Sequence, residues 1–144
     1  MTFMCPTMGE GGLSNFDIFK IAQSLKIPNF RGIFMRDQLP QRPKEKECAI
    51  VNLNSSDQPG SHWVCYYKNG KKRIYFDSFA QITPFEIQKY LKTKEELKND
   101  VPIIERNTDI VQKPNTNICG HLCLYVLDKL SKGVQYQDVI ESLL

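Results

Sequence analysis

The sequence predicts an α+β fold on three observations: a helical apolar repeat near the start, a central run of strand-forming segments containing a hairpin signal, and two amphipathic helices at the end. At 144 residues, with 41% hydrophobic and 24% charged side chains, the chain is expected to form one domain, 1–144, with its own core. Residues 1–12, rich in Met and Gly and without periodicity, read as a loosely held arm.

The first helix is expected from Ser14, a plausible N-cap. Phe16, Ile18, Phe19, Ala22 and Leu25 then recur at helical spacing, and the pattern stops before Ile27-Pro28. Residues 29–43 mix Arg, Gly and Pro with isolated apolar positions and read as an irregular connection with at most a short helical turn. Cys48-Ala-Ile-Val-Asn-Leu53 is a nearly continuous apolar run of strand formers and reads as a buried central strand. The polar loop after it delivers His62.

Two aromatic and β-branched segments follow, His62 to Tyr67 and Arg73 to Asp77, with Asn69-Gly70 between them, which is a strong hairpin signal. Pro84 is suited to start a helix that runs through Leu91. The Lys- and Glu-rich stretch to Asp100 either continues that helix or forms a solvated loop. Pro102 to Glu105 and Asp109 to Gln112 read as two short strands or one interrupted strand. After a turn-rich loop at Lys113 to Asn117, Leu122, Cys123, Val126, Leu127 and Leu130 mark an amphipathic helix that Gly133 terminates, with Cys119 in its first turn. A last helix, from about Gln135 to Leu144, presents Val139, Ile140, Leu143 and Leu144.

Composition narrows the function classes. No apolar run approaches the roughly 18 residues a membrane span needs, and the N-terminus lacks a secretory pattern, so neither membrane nor export is expected. The net charge of +3 is mild and the lysines are dispersed, which leaves nucleic acid permitted but unsignalled. Five cysteines, odd in number and mostly inside apolar runs, suit reduced thiols in a reducing compartment.

If Asn69 and Gly70 are the central residues of a type I′ turn, Lys68 pairs with Lys71, Tyr66 with Arg73, Val64 with Tyr75 and His62 with Asp77. Directly opposite side chains have Cβ atoms about 4.5–5.5 Å apart, close enough for an imidazole N–H to reach a carboxylate. Such a carboxylate fixes the tautomer of a general base and stabilises the imidazolium. Cys119, at a helix start where N–H groups are unsatisfied and with Thr116 and Asn117 as candidate caps, suits a thiolate. Gly120 would let the backbone approach a substrate carbonyl. Cys5, Cys48, Cys65 and Cys123 read as core residues. His121 lies about 200° around the helix from Cys119, which leaves His62 as the base and removes a Cys-His-Cys metal site; no metal or other cofactor is expected.

In order, His62-Trp63, Tyr75-Phe-Asp-Ser78, Gln112 seven residues before the cysteine, and Cys119-Gly-His-Leu-Cys-Leu-Tyr125 resemble the signature of the adenovirus-protease and ubiquitin-like-protein (SUMO) protease superfamily of cysteine proteases. The likeness covers roughly His62 to Leu130, with a weaker echo in Phe30 to Asp37 that looks closer to the viral or virus-like-transposon (adenain-like) branch. The resemblance implies a central, mostly antiparallel sheet packed against the helix that bears the nucleophile, with helices on both sides. It implies a Cys119-His62-Asp77 triad, Gln112 with the Cys119 N–H as the oxyanion hole, and Trp63 as a wall of the channel for small residues. Strand alternation points Trp63 away from His62, which keeps a core role equally open.

The implied activity is a thiol endopeptidase cutting after small, Gly-containing sites during viral or virus-like-element precursor maturation. The alternatives are an isopeptidase acting on ubiquitin-like modifiers and a non-catalytic binding module on the same fold. Protein substrates are the implied partners: a polyprotein precursor or a ubiquitin-like protein. A peptide activator or DNA goes with the family but maps to no residue here. Host cytoplasm, nucleus or the virion are the implied locations.

Overall fold

Helix α1 (Asn15–Leu25) begins where the sequence places its cap. In the computed structural model, which describes residues 13–54, 62–113 and 116–144, Ser14 Oγ accepts the Asp17 N–H at 3.1 Å and the Asp17 carboxylate accepts the Ser14 N–H at 3.1 Å. This capping box satisfies two N–H groups that the helix cannot. Ile18 and Ala22 are buried, whereas Phe16, Phe19 and Leu25 are exposed, so the inward stripe is narrower than the apolar spacing suggests. The arm read at 1–12, Cys5 and the loop leading into His62 lie outside the described residues.

Among the described residues five strands form one sheet in chain order: β1 (Phe30–Met35), β2 (Lys46–Asn52), β3 (Trp63–Asn69), β4 (Lys72–Phe76) and β5 (Ile104–Arg106). The two central pairings, β2 with β3 and β3 with β4, are antiparallel, and β2 with β3 is the longest ladder. The outer two, β1 with β2 and β4 with β5, are parallel. Strand β1 replaces the irregular connection expected after residue 29. Its residues are all half-buried, and a bulge at Gly32, φ 135°, uses a conformation that side chains other than hydrogen resist. Asp109 to Gln112 is not a strand.

The Lys- and Glu-rich stretch resolves into a separate helix. Helix α2 (Phe85–Leu91) starts after Pro84, and α3 (Lys94–Lys98) has its own capping box between Thr93 and Glu96. Arg73 of β4 binds the Glu96 carboxylate through both terminal nitrogens, at 2.9 and 3.3 Å, which moors α3 to the sheet. Helices α4 (Cys119–Ser131) and α5 (Tyr136–Leu143) follow, with Gly133 at φ 85° between them.

Strand alternation divides the apolar residues between two cores. Cys48, Ile50, Trp63, Cys65, Ile74 and Phe76 face α1, α4 and α5, while Ala49, Val51, Val64, Tyr66 and Tyr75 face α2. Helices thus cover both sides of the sheet. On the α2 side Glu47 is buried, which would be costly unpartnered. Its carboxylate accepts from Tyr66 Oη at 2.6 Å, Tyr90 Oη at 2.8 Å, Arg31 Nη1 at 3.3 Å and the Lys44 N–H.

Candidate active site

His62 immediately precedes β3 and Asp77 immediately follows β4, so both lie where the hairpin ladder ends. The turn is one residue later than expected. Asn69 pairs with Lys72 and Tyr66 with Tyr75, which makes Gly70 and Lys71 the central residues. Gly70 has φ 62° and Lys71 is not left-handed, as a turn with glycine in its first central position requires. Extended, this register sets Val64 opposite Asp77 and His62 opposite Phe79, and the His62 and Phe79 rings do stack, with centroids 5.0 Å apart. The expected side-by-side pairing of His62 and Asp77 is therefore a diagonal one. The slip of two in register preserves parity, so both residues stay in phase on the sheet.

Across that diagonal His62 Nε2 lies 2.7 Å from Asp77 Oδ1, with both residues buried. The same oxygen accepts the Phe79 N–H at 2.9 Å, and the other, Oδ2, has no hydrogen-bond partner. Nε2 is thus the ring nitrogen that faces Asp77, and Nδ1 is the other.

Cys119 is the first residue of α4, whose N-cap Ile118 offers no side-chain hydrogen bond. Of the expected caps, Thr116 turns the other way, its Oγ1 donating to Lys113 O at 2.7 Å. The N–H groups of a first helical turn favour negative charge at Cys119. Helix α4 crosses β3 closely, with Cys123 Sγ donating to Trp63 O at 3.5 Å. A side chain at Gly120 would meet Ile18 Cδ1 and Trp63 Cδ1, both 3.4 Å from a Cβ, so this face of Gly120 packs on the core. Trp63 is itself in that core, and its Nε1 donates to Leu13 O at 3.2 Å. Phe79, stacked on His62, belongs to the same buried cluster as Cys119.

Cys48, Cys65 and Cys123 are free and buried, as expected of core thiols. Cys119 is the exception to the reduced set, because its sulfur is disulfide-bonded. Burial pushes the Cys48 thiol up to about 12 and Cys65 well above its ordinary value. His121 is exposed.

Gln112 is buried beside this cluster. Its Oε1 accepts from Ser78 Oγ at 2.5 Å, and its Nε2 donates to Thr116 O at 3.0 Å and Thr116 Oγ1 at 2.9 Å. The amide that the resemblance assigns to an oxyanion is therefore engaged by the loop before α4. Sequence reasoning missed Asn107, whose side chain binds the Asp77 backbone. A lone Asn after a short strand gives no local signal for that contact. A cleft of about 960 Å³, lined by residues such as Lys68, Lys71, Phe85 and Lys89, opens elsewhere, and none of His62, Asp77 or Cys119 lines it.

The family model for adenovirus endoprotease matches residues 30–139, a span that includes the hairpin, Gln112 and Cys119. The chain belongs to the adenovirus endoprotease family. Relatives in this family include the protease of human adenovirus B serotype 3, 30% identical over 135 residues, a match covering 84% of this chain and 64% of the relative. The protease of porcine adenovirus A serotype 3 is 28% identical over 129 residues, covering 81% and 63%, and that of bovine adenovirus 2 is 29% identical over 107 residues, covering 68% and 49%. The chain thus spans about half to two thirds of the length of these adenovirus proteases. Its fold is similar to that of the ASFV protease, with a TM-score of 0.62 at 19% identity, covering 99% of this chain and 66% of that one. It is also similar to the SUMO protease Ulp1, with a TM-score of 0.51 at 18% identity, covering 94% and 75%. The chain thus has an α+β fold similar to that of these proteases.

Proposed function

We propose that this chain is a cysteine endopeptidase that cleaves after small residues at Gly-containing sites of a viral or virus-like-element precursor. The observation that carries the reading is the buried His62 Nε2 to Asp77 Oδ1 pair at 2.7 Å, on a hairpin whose β3 packs against the helix that starts at Cys119. Family membership supports the hydrolase chemistry.

In the mechanism, the reduced Cys119 gives its proton to His62 Nδ1, and Asp77 stabilises the imidazolium through Nε2. The thiolate attacks the scissile carbonyl carbon and forms the S–C bond. The backbone N–H groups at the start of α4 receive the developing oxyanion, joined by Gln112 Nε2 once Thr116 yields it. One such donor contributes about 10²–10³ in rate. As the C–N bond breaks, the proton on Nδ1 passes to the leaving amine. Water, losing a proton to the same nitrogen, attacks the thioester, releases the acid and regenerates the thiol. Because Cys119 is disulfide-bonded, the working form is the reduced one.

The test is turnover of fluorogenic Gly-containing peptides with and without dithiothreitol. Cleavage should require the reductant and vanish in Cys119→Ala. Asp77→Asn should lower kcat on the order of 10²–10⁴-fold with little change in Tm, because an amide can support the wrong tautomer. A reduced wild type that neither cleaves nor is labelled by a Gly-ended electrophile would overturn the proposal. A strong preference for a folded ubiquitin-like fusion over peptides would replace its substrate class.

A further inference from the structure

Asp77 has an unusual difficulty for a residue that must aim a carboxylate. It lies one residue beyond the end of β4: the ladder to β3 stops at Cys65 with Phe76, and that to β5 stops at Tyr75 with Arg106. Sheet pairing therefore does not hold its peptide groups, although a turn bond runs from the Ala80 N–H to Asp77 O at 2.8 Å. Only one carboxylate oxygen is anchored, so rotation of the backbone would carry Oδ1 away from the imidazole.

The Asn107 side chain takes the place of the missing strand. A primary amide presents a donor and an acceptor as a peptide does. Here Oδ1 accepts the Asp77 N–H at 3.1 Å while Nδ2 donates to Asp77 O at 2.7 Å. Asn107 is held in turn. Nδ2 also donates to Asp109 O at 3.2 Å, and the hydroxyl of Tyr136, at the start of α5, donates to Asn107 Oδ1 at 3.2 Å and to Tyr75 O at 2.9 Å. Asp77, Asn107 and Tyr136 are all buried, so water cannot substitute for a lost contact at no cost. Nearby, the Val111 N–H to Ser78 O bond at 2.9 Å continues the same attachment.

We propose that Asn107 is a positioning residue for the proposed hydrolysis, setting the peptide planes of Asp77, and that Tyr136 extends this control to the last helix. This inference rests on the cysteine-endopeptidase reading. Misplacing a catalytic group by about 1 Å can cost 10²-fold in rate. Asn107→Ala should accordingly lower kcat about 10- to 100-fold and change KM less than about threefold. Tyr136→Phe, which removes only a hydroxyl, should lower kcat about three- to tenfold.

The decisive measurement is a double-mutant cycle on the reduced protein, with folding of each variant checked by circular dichroism. In an Asp77→Ala background there is no carboxylate to aim, so Asn107→Ala and Tyr136→Phe should each add less than about threefold. A full additional loss in that background, or an unchanged kcat for both single variants, overturns the inference. If Asn107→Ala does not fold, Tyr136→Phe decides alone. If Asp77→Ala itself leaves turnover intact, the triad reading falls, and the positioning role falls with it.

Discussion

Cys48, Cys65 and Cys123 are thiols enclosed by apolar neighbours, and the largest influence on the first two is burial, which disfavours the thiolate. With Cys48 pushed up to about 12, it carries almost no thiolate at neutral pH. After reduction, iodoacetamide at pH 7.5 is expected to modify Cys119 well before these three, as read by peptide mass spectrometry. Prior labelling of Cys65 or Cys123 would contradict the assignment. The residue types of the candidate site were legible in the sequence because a Cys at a helix start and a His-Asp hairpin are local patterns. Asn107 and Glu47 were not, since each owes its role to partners distant in sequence: Asn107 to Asp77, and Glu47 to Tyr66 and Tyr90.

At the level of elements, the two capping boxes make testable demands. Ser14→Ala removes the cap of α1 and should cost about 1 kcal/mol, seen as a lower denaturation midpoint, with activity per folded molecule retained. Glu96 is held below its ordinary value of 4.5 first by the Arg73 guanidinium and then by the Thr93 N–H, and Asp17 is lowered by its hydrogen bonds from Ser14. A depressed carboxyl contributes stability that is complete above its unfolded value and lost as pH falls through the folded one. Hydrogen exchange in α3 should therefore accelerate as pH drops below about 4.5, after correction for intrinsic rates, and Glu96→Gln should abolish that dependence. The hairpin carried a clear turn signal, yet Asn69-Gly70 fits two registers, and the one that places Gly70 first in the turn prevails. Strand β1 escaped notice because it is an edge strand, half-buried throughout, and so lacks an alternating pattern.

Across the whole molecule, the α+β class followed from the order of helical and strand periods, whereas the parallel outer pairings did not. They join segments remote in sequence, and nothing local specifies them. The hairpin, in mid-chain, closes a short loop and precedes α4, which packs on β3 from a distant stretch of sequence. Loop closure favours near partners first. A chain emerging from the ribosome therefore holds its paired imidazole and carboxylate segments before the sulfur-bearing helix has been synthesised. Pulse-labelled refolding should find the amides of β3 and β4 protected ahead of those in α4. On that order of assembly and on the proposed assignment, a nascent chain would have its base before its nucleophile, and partly made copies would be unable to cut the proteins being translated around them.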